Sequence, residues 1–308
     1  MKVKIKNSNL NAKFWFSNFI FSFFVLNFIC SISTTAAELP NRIVSLAPNM
    51  TEILYAIGLG DRIVGVTNFC DHPEVAKRKP KIGGMTNPSL ETVVSLRPDL
   101  VVMTTDGNPK EFEERLRSLK IKTYVFKARR ISELPMGIRE MGLALGVGEK
   151  AEKLAKEIEE AISSFKVRDQ KSNPPTTPLV KGGFKRGVCG GINKKKVLFI
   201  IWPEPLIVAG PGTIIDDAIT LLGGENIASK SKTTYPKYSI EEIMYQAPDA
   251  IFIGKGHVNM KEASRGLLER LSKVPAVKNG AVYFISDSIY RLSPRIVIGV
   301  EEMARCLR

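Results

Sequence analysis

Two stretches of this chain repeat one another at a fixed offset, and that repeat constrains the fold more than any other feature. "NPSLETVVSLRPDLVV" runs from Asn87 to Val102 and "KYSIEEIMYQAPDAIF" from Lys237 to Phe252. Ser89 and Ser239, Glu91 and Glu241, and Pro98-Asp99 and Pro248-Asp249 are all separated by 150 positions. Each copy opens on a serine that can cap a helix, continues as a short helix, breaks at Pro-Asp and runs into an apolar strand. Ser239 with Glu242 three residues on also has the form of a capping box. A chain that repeats helix-then-strand in this way is expected to contain two equivalent lobes.

The surrounding pattern extends this expectation. In the first half, "RIVSLAP", "RIVGVT", "LVVM" and "IKTYVF" read as short strands. "NMTEILYAIGLG" reads as a helix with Asn49 as N-cap and Gly58 at C′. In the second half, "KVLFII", "AIFIG" and "AVYFIS" read as strands and "TIIDDAITLLGG" as a helix stopped by Gly223-Gly224. Strands alternating with helices across short turns imply parallel sheets with crossover helices. The predicted class is α/β, with two Rossmann-like lobes. Between them, Ala151, Leu154, Ala155, Ile158, Ala161, Ile162 and Phe165 follow the spacing of one helical face, opposite a face of Glu and Lys. This reads as a single long connector helix, and "ISELPMGIREMGLALG" before it as a further helix.

The predicted boundaries are a signal peptide at 1–37, an N-terminal lobe at 38–146, the connector at 147–167, an insert at 168–195 and a C-terminal lobe at 196–308. The signal reading rests on Lys2, Lys4, Lys6 and Lys13, an apolar run from Phe14 to Cys30, and small residues that end before Glu38. An uncleaved membrane anchor is the alternative for this segment. The insert is rich in Pro, Gly and Lys and lacks periodicity, so it is expected to be disordered. The formal net charge is +14, but four of those charges lie in the first segment and a net eight between 166 and 196. The remainder carries only two, which argues against a nucleic-acid partner. Cys70, Cys189 and Cys306 have no Cys-x-x-Cys spacing and the chain holds only two histidines, so no metal site is expected.

"RIVSLAPNMTEILYAIGLGDRIVGVT", "SLETVVSLRPDLVV", "LLGGENIA", "YSIEEIMYQAPDAIFI" and "RLSPRI" together resemble the periplasmic substrate-binding proteins of cobalamin and ferric-siderophore ABC importers. The resemblance runs from Asn41 to Arg308, apart from the insert, and is greatest to the cobalamin-binding branch. It implies a ligand held between the lobes, extracytoplasmic delivery to an ABC permease dimer with its ATPase subunits, no enzymatic activity and no resident cofactor. It also implies that Glu91 and Glu241 dock onto permease arginines. As residues alone, they are equally first-turn acids that favour the helix dipole.

Ligands of α/β lobes bind at loops beyond the carboxyl ends of strands. That rule selects Phe69, Trp202, Tyr235 and Tyr290 as aromatic walls, with Trp202 and Tyr235 each beside a proline. By position, Trp202 and Tyr235 match aromatics that contact the corrin ring in the cobalamin binders this chain resembles. Asp287 and Arg291 either bond ligand amides or pair with each other, and the resemblance points to ligand contact. Arg295 reads as a local capping or pairing residue. Where cobalamin binders place first-lobe tryptophans, this chain has Gly83-Gly84 and Thr104. The expected ligand is therefore cobalamin or a related corrinoid, with a ferric siderophore or haem as the alternative. A solute sensor and a secreted hydrolase using Asp71 or His72 are further alternatives. For the hydrolase, neither a Gly-x-Ser-x-Gly elbow nor a P-loop is present.

Overall fold

The computed structural model describes residues 39–171, 194–256 and 259–307. The signal-peptide expectation, nearly all of the insert, and His257 lie outside them. From Leu39 onward the chain forms one compact unit.

The N-terminal lobe is built on four parallel strands: β1 (Ile43–Ser45), β2 (Ile63–Val66), β3 (Leu100–Thr104) and β4 (Thr123–Phe126), in the order β2-β1-β3-β4. Its helices are α1 (Pro48–Ala56), α2 (Leu90–Ser95), α3 (Lys110–Ser118) and α4 (Leu134–Ala144). Asn49 is not the cap of α1. Pro48 occupies the first turn, where its missing N–H costs nothing, and Ala47 precedes the helix without a side-chain cap. Gly58 adopts φ +81° just past the helix, as its predicted C′ place requires.

The connector is α5 (Gly148–Lys171), which extends past the predicted end at 167 into the segment assigned to the insert. Ala151, Ala155, Ile158, Ile162 and Phe165 are all buried. Helix α4 packs against α5 closely enough that a Cβ on Gly142 would collide with the Cβ of Ala151. Arg139 of α4 then clamps two carboxylates of α5, with Nε 2.6 Å from Glu152 and Nη1 2.6 Å from Glu159.

The C-terminal lobe repeats the plan with β5 (Lys196–Pro203), β7 (Glu225–Asn226), β8 (Ala250–Gly254) and β9 (Val282–Ile285) in parallel pairing. One strand, β6 (Leu206–Val208), departs from the predicted pattern, folding back antiparallel on the end of β5. The Trp202–Pro205 stretch, expected to be a loop, is therefore the end of a hairpin. Helices α6 (Ile214–Leu221), α7 (Ile240–Gln246), α8 (Met260–Ala263), α9 (Arg265–Arg270), α10 (Pro275–Lys278) and α11 (Ile296–Cys306) complete the described lobe.

The repeated motif forms the same local structure twice. Ser89 Oγ accepts from Thr92 N at 3.2 Å, and Ser239 Oγ from Glu242 N at 3.1 Å. Only that half of the capping box forms, because the Glu242 carboxylate accepts instead from Gln246 Nε2 at 2.9 Å. The Pro-Asp turns have a further role. Asp99 accepts from the backbone N–H groups of Asn41 and Arg42, just before β1, and Asp249 from that of Lys196, the first residue of β5. In return, Arg42 donates to the last carbonyls around α2, and Lys196 Nζ to that of Gln246. Helix end and strand start are thus tied reciprocally in both lobes.

Side chains alternate across each strand, so each sheet has two faces. Val44, Val101 and Met103 pack with Phe112 and Leu116 of α3 on one side, and Leu198, Ile200, Ile251 and Ile253 with Leu267 and Leu271 in the other lobe. The opposite faces, with Ile43, Val102 and Phe126 from one lobe and Val197, Phe199 and Phe252 from the other, join through α4, α5 and α11 into a single core. Away from the cleft, then, the lobes share one continuous apolar interior.

Candidate functional site: the cleft between the lobes

Strand carboxyl ends from both lobes supply the candidate residues. Leaving β9, a 3₁₀ turn at Asp287–Tyr290 carries the chain into Arg291, Ser293 and Arg295 before α11 begins. A cavity of about 370 Å³ is lined by Ile201, Trp202, Gly256, Met260, Asp287, Tyr290 and Arg291. Four of the six residues expected to contact ligand therefore face one recess.

Trp202 is 40% exposed, a large apolar surface left open to solvent beside the cavity, and its indole Nε1 donates to Glu204 O at 2.7 Å. Tyr290 packs edge-on against Phe199 with ring centroids 5.9 Å apart. Its hydroxyl end passes over Gly254, where any Cβ would collide with it. Burial, and then the nearby Asp287 and Tyr235, push the Tyr290 phenol well above its ordinary value. Asp287 does not pair with Arg291; its Oδ1 accepts from Gly256 N at 2.8 Å and ties the loops after β8 and β9 together.

Phe69 and Tyr235 are 59% and 57% exposed, which fits rings waiting for a surface to cover them. Partial burial raises the Tyr235 phenol, and so does Asp106 of the opposite lobe. A Cβ on Gly84 would collide with the Asn87 side-chain oxygen and lie 4.0 Å from the ring of Phe69.

Arg291 and Arg295 make the least expected contacts. Both reach across to the N-terminal lobe. Arg291 Nη1 donates to Glu52 Oε1 at 3.1 Å and, at closer range, to Asp71 Oδ1; its Nη2 donates to Asp71 Oδ2 at 3.2 Å and to Phe69 O at 3.3 Å. Arg295, read from sequence as a local residue, grips Glu52 with two bonds, Nε to Oε2 at 2.9 Å and Nη2 to Oε1 at 2.7 Å. Ser293 Oγ adds a bond to Oε2 at 2.6 Å. Burial alone would raise the Glu52 pKa, but the bonds from Arg295, Ser293 and Arg291 outweigh it and hold the carboxyl below its ordinary value. Asp71 likewise sits low despite partial burial, because of Arg291.

Sequence reasoning did not single out Glu52. The only signal in the sequence was a lone carboxylate flanked by Met50, Ile53 and Leu54 on a predicted helix, which names no partner; the structure buries all of Met50 to Leu54. A lone carboxylate on a helix without a solvated stretch needs a partner. Asp71, considered only as a hydrolase residue, is instead an arginine partner. Around it, Cys70 is buried against Thr51 Oγ1 and Thr67 Oγ1, each 3.1 Å from its Sγ, and both Cys70 and Cys306 are free thiols.

Glu91 and Glu241 do not line this recess. Each is exposed in the first turn of its Ser-capped helix. Hydrogen bonds from its own backbone N–H and from Ser239 hold the Glu241 carboxyl below its ordinary value. Among the described residues no helix is long and apolar enough to cross a membrane, and no cluster of three metal-ligating side chains forms.

The family of periplasmic binding proteins matches residues 43–289. Over 224 residues the chain is 28% identical to a vitamin B12-binding protein of Pectobacterium atrosepticum, covering 72% of this chain and 75% of that protein. Among solved structures, it is similar to the periplasmic vitamin B12-binding protein of Vibrio cholerae, with a TM-score of 0.72 and 25% identity over 87% of this chain and 96% of that one. It is equally similar to a periplasmic heme-binding protein from Roseiflexus, with a TM-score of 0.72 and 25% identity over 87% and 97% of the two chains.

Proposed function

The chain belongs to the periplasmic binding protein family, and from that premise we propose that it captures cobalamin or a related corrinoid between its lobes and delivers it to an ABC importer. It is a binding protein, not an enzyme, and its family works outside the cytoplasm. The observation that carries the ligand reading is the recess walled by Trp202 and Tyr290, with Asp287 and Arg291 at its edge and Tyr235 beside Tyr290. Flat aromatic surfaces suit a macrocycle face, and a few fixed polar groups suit its rim. A recess of about 370 Å³ would seat one edge of such a ligand, with Phe69 covering another part. The similarity to vitamin B12-binding relatives supports the same reading.

Haem is the second reading, favoured by the equal likeness to the Roseiflexus heme-binding protein and by glycines at 83 and 84, the positions where cobalamin binders carry first-lobe tryptophans. Visible-absorbance titration of the full chain with cyanocobalamin, haemin and ferric siderophores separates them. Tight binding of cyanocobalamin is expected; tight binding of haemin or a siderophore with none of cyanocobalamin would overturn the corrinoid reading.

Delivery requires a dock. Glu91 and Glu241, one exposed carboxylate per lobe on like helices, would pair with arginines of a permease dimer served by ATPase subunits. Reversing both charges should abolish transport while leaving ligand affinity unchanged; transport that survives the reversal sinks the docking role. The segment at 1–37 would be the signal peptide that carries the chain across the membrane, removed before Glu38. Mass determination of the exported protein tests that cut.

A further inference from the structure

Arg291 lines the cavity and Arg295 shares its partner Glu52, so both arginines are already spent on carboxylates. Glu52, 4% exposed, sits on α1 of one lobe, and all its side-chain partners come from the other: Ser293, Arg295 and Arg291. Arg291 also spans to Asp71 and to the carbonyl of Phe69. Two guanidinium groups face two carboxylates, so the network is formally neutral. Both Nη groups of Arg291, the cluster member that lines the cavity, are engaged in it.

We propose that Glu52 determines which ligand charge the cleft accepts: together with Asp71 it cancels Arg291 and Arg295, so the site takes a neutral, amide-bearing macrocycle and turns away one that carries carboxylates. An uncommitted arginine in such a recess would capture a carboxylate through two parallel bonds. Here an incoming carboxylate finds no net positive charge unless it displaces Asp71 or Glu52, and Asp287, which also lines the cavity and bonds only a backbone N–H, repels it in a partly desolvated site where Coulomb interactions are weakly screened. An amide carbonyl meets no such repulsion. Glu52 reaches the ligand only through Arg291 and is therefore a positioning residue. The inference rests on the reading that Arg291 faces the ligand.

The test compares dissociation constants for cyanocobalamin, which is neutral, and haemin, which carries carboxylates, in the full chain. Wild type should favour cyanocobalamin. Glu52→Gln keeps the shape and removes one negative charge, and should move the haemin-to-cyanocobalamin ratio of dissociation constants toward haemin by about tenfold or more, the scale of one poorly screened charge. Asp71→Asn, on a half-exposed residue that carries less folding risk, should move it the same way. The double variant Glu52→Gln/Arg295→Gln restores neutrality and should return the ratio toward wild type. A merely structural role for Glu52 would weaken both ligands together and leave the ratio fixed. Ratios unchanged in both folded single variants, or a wild-type preference for haemin, overturn the proposal. Arg291→Met with unchanged affinity for both ligands instead sinks the reading that Arg291 faces the ligand, and separates that failure from the first.

Discussion

The two lobes are alike where they are scaffold and opposite where they face each other. Ser89 and Ser239 cap like helices, Asp99 and Asp249 hold the starts of like strands, and Arg42 and Lys196 bond the carbonyls at the ends of like helices. At the cleft the likeness ends. The N-terminal lobe contributes Phe69 and the carboxylates Glu52, Asp71 and Asp106, whereas the C-terminal lobe contributes both arginines, Arg291 and Arg295, the rings of Trp202, Tyr235 and Tyr290, and a single carboxylate, Asp287, that bonds a backbone N–H of its own lobe. Scaffold roles are satisfied within one lobe, so duplication preserves them. The cleft's arginines are satisfied only across the interface, where two identical surfaces would set like charge against like.

The strongest way to break this comparison is to remove one side of the cross-lobe pair. Arg295→Ala leaves a buried carboxylate with its bidentate partner gone and should cost about 3–5 kcal/mol in urea unfolding. A loss comparable with that of an exposed surface change would mean that the lobes are held by the shared core alone. Acid supplies a second reading of the same variant. Because the folded Glu52 carboxyl lies below its ordinary value of 4.5, its contribution is present above that pH and is lost as pH falls through the folded value. Arg295→Ala should flatten that acid-side decline.

A smaller effect tests the aromatic side of the cleft. Gly254→Ala places a methyl group where the Tyr290 hydroxyl lies, which should displace that ring toward the recess at about 1–3 kcal/mol of strain and weaken ligand binding. Unfolding and ligand titration together check it; unaltered ligand affinity would remove Tyr290 from the wall. The smallest effect sharpens the scaffold side. Asp99 holds two backbone N–H groups and Asp249 one, so Asp99→Ala should cost about 1.5 kcal/mol and Asp249→Ala about 1 kcal/mol in the same unfolding measurement. Equal losses would show that the second bond at Asn41 or Arg42 adds nothing.

The scaffold was readable because its signals are local. Serine caps, Pro-Asp breaks and alternating apolar runs are complete within a dozen residues, and the spacing of Ala151, Ala155, Ile158 and Ile162 announced the buried face of α5. Local signals failed where a neighbour decided the outcome. Asn49 had the chemistry of a cap, but Pro48 starts the helix; Glu242 had the spacing of a capping box, but Gln246 takes its carboxylate; and β6 is a strand because β5 offers it an edge.

By itself, then, the sequence determined two α/β lobes, a connector helix, and the loops from which the cleft is made, since periodicity and turn chemistry act over short distances along the chain. Only the tertiary structure decided what those loops do. The partners of Glu52 lie 239, 241 and 243 residues away from it, and no spacing along the chain can announce a charge pair made across that separation. Burial made the pairing obligatory, because a carboxylate taken out of water must find its counter-charge wherever the fold places one.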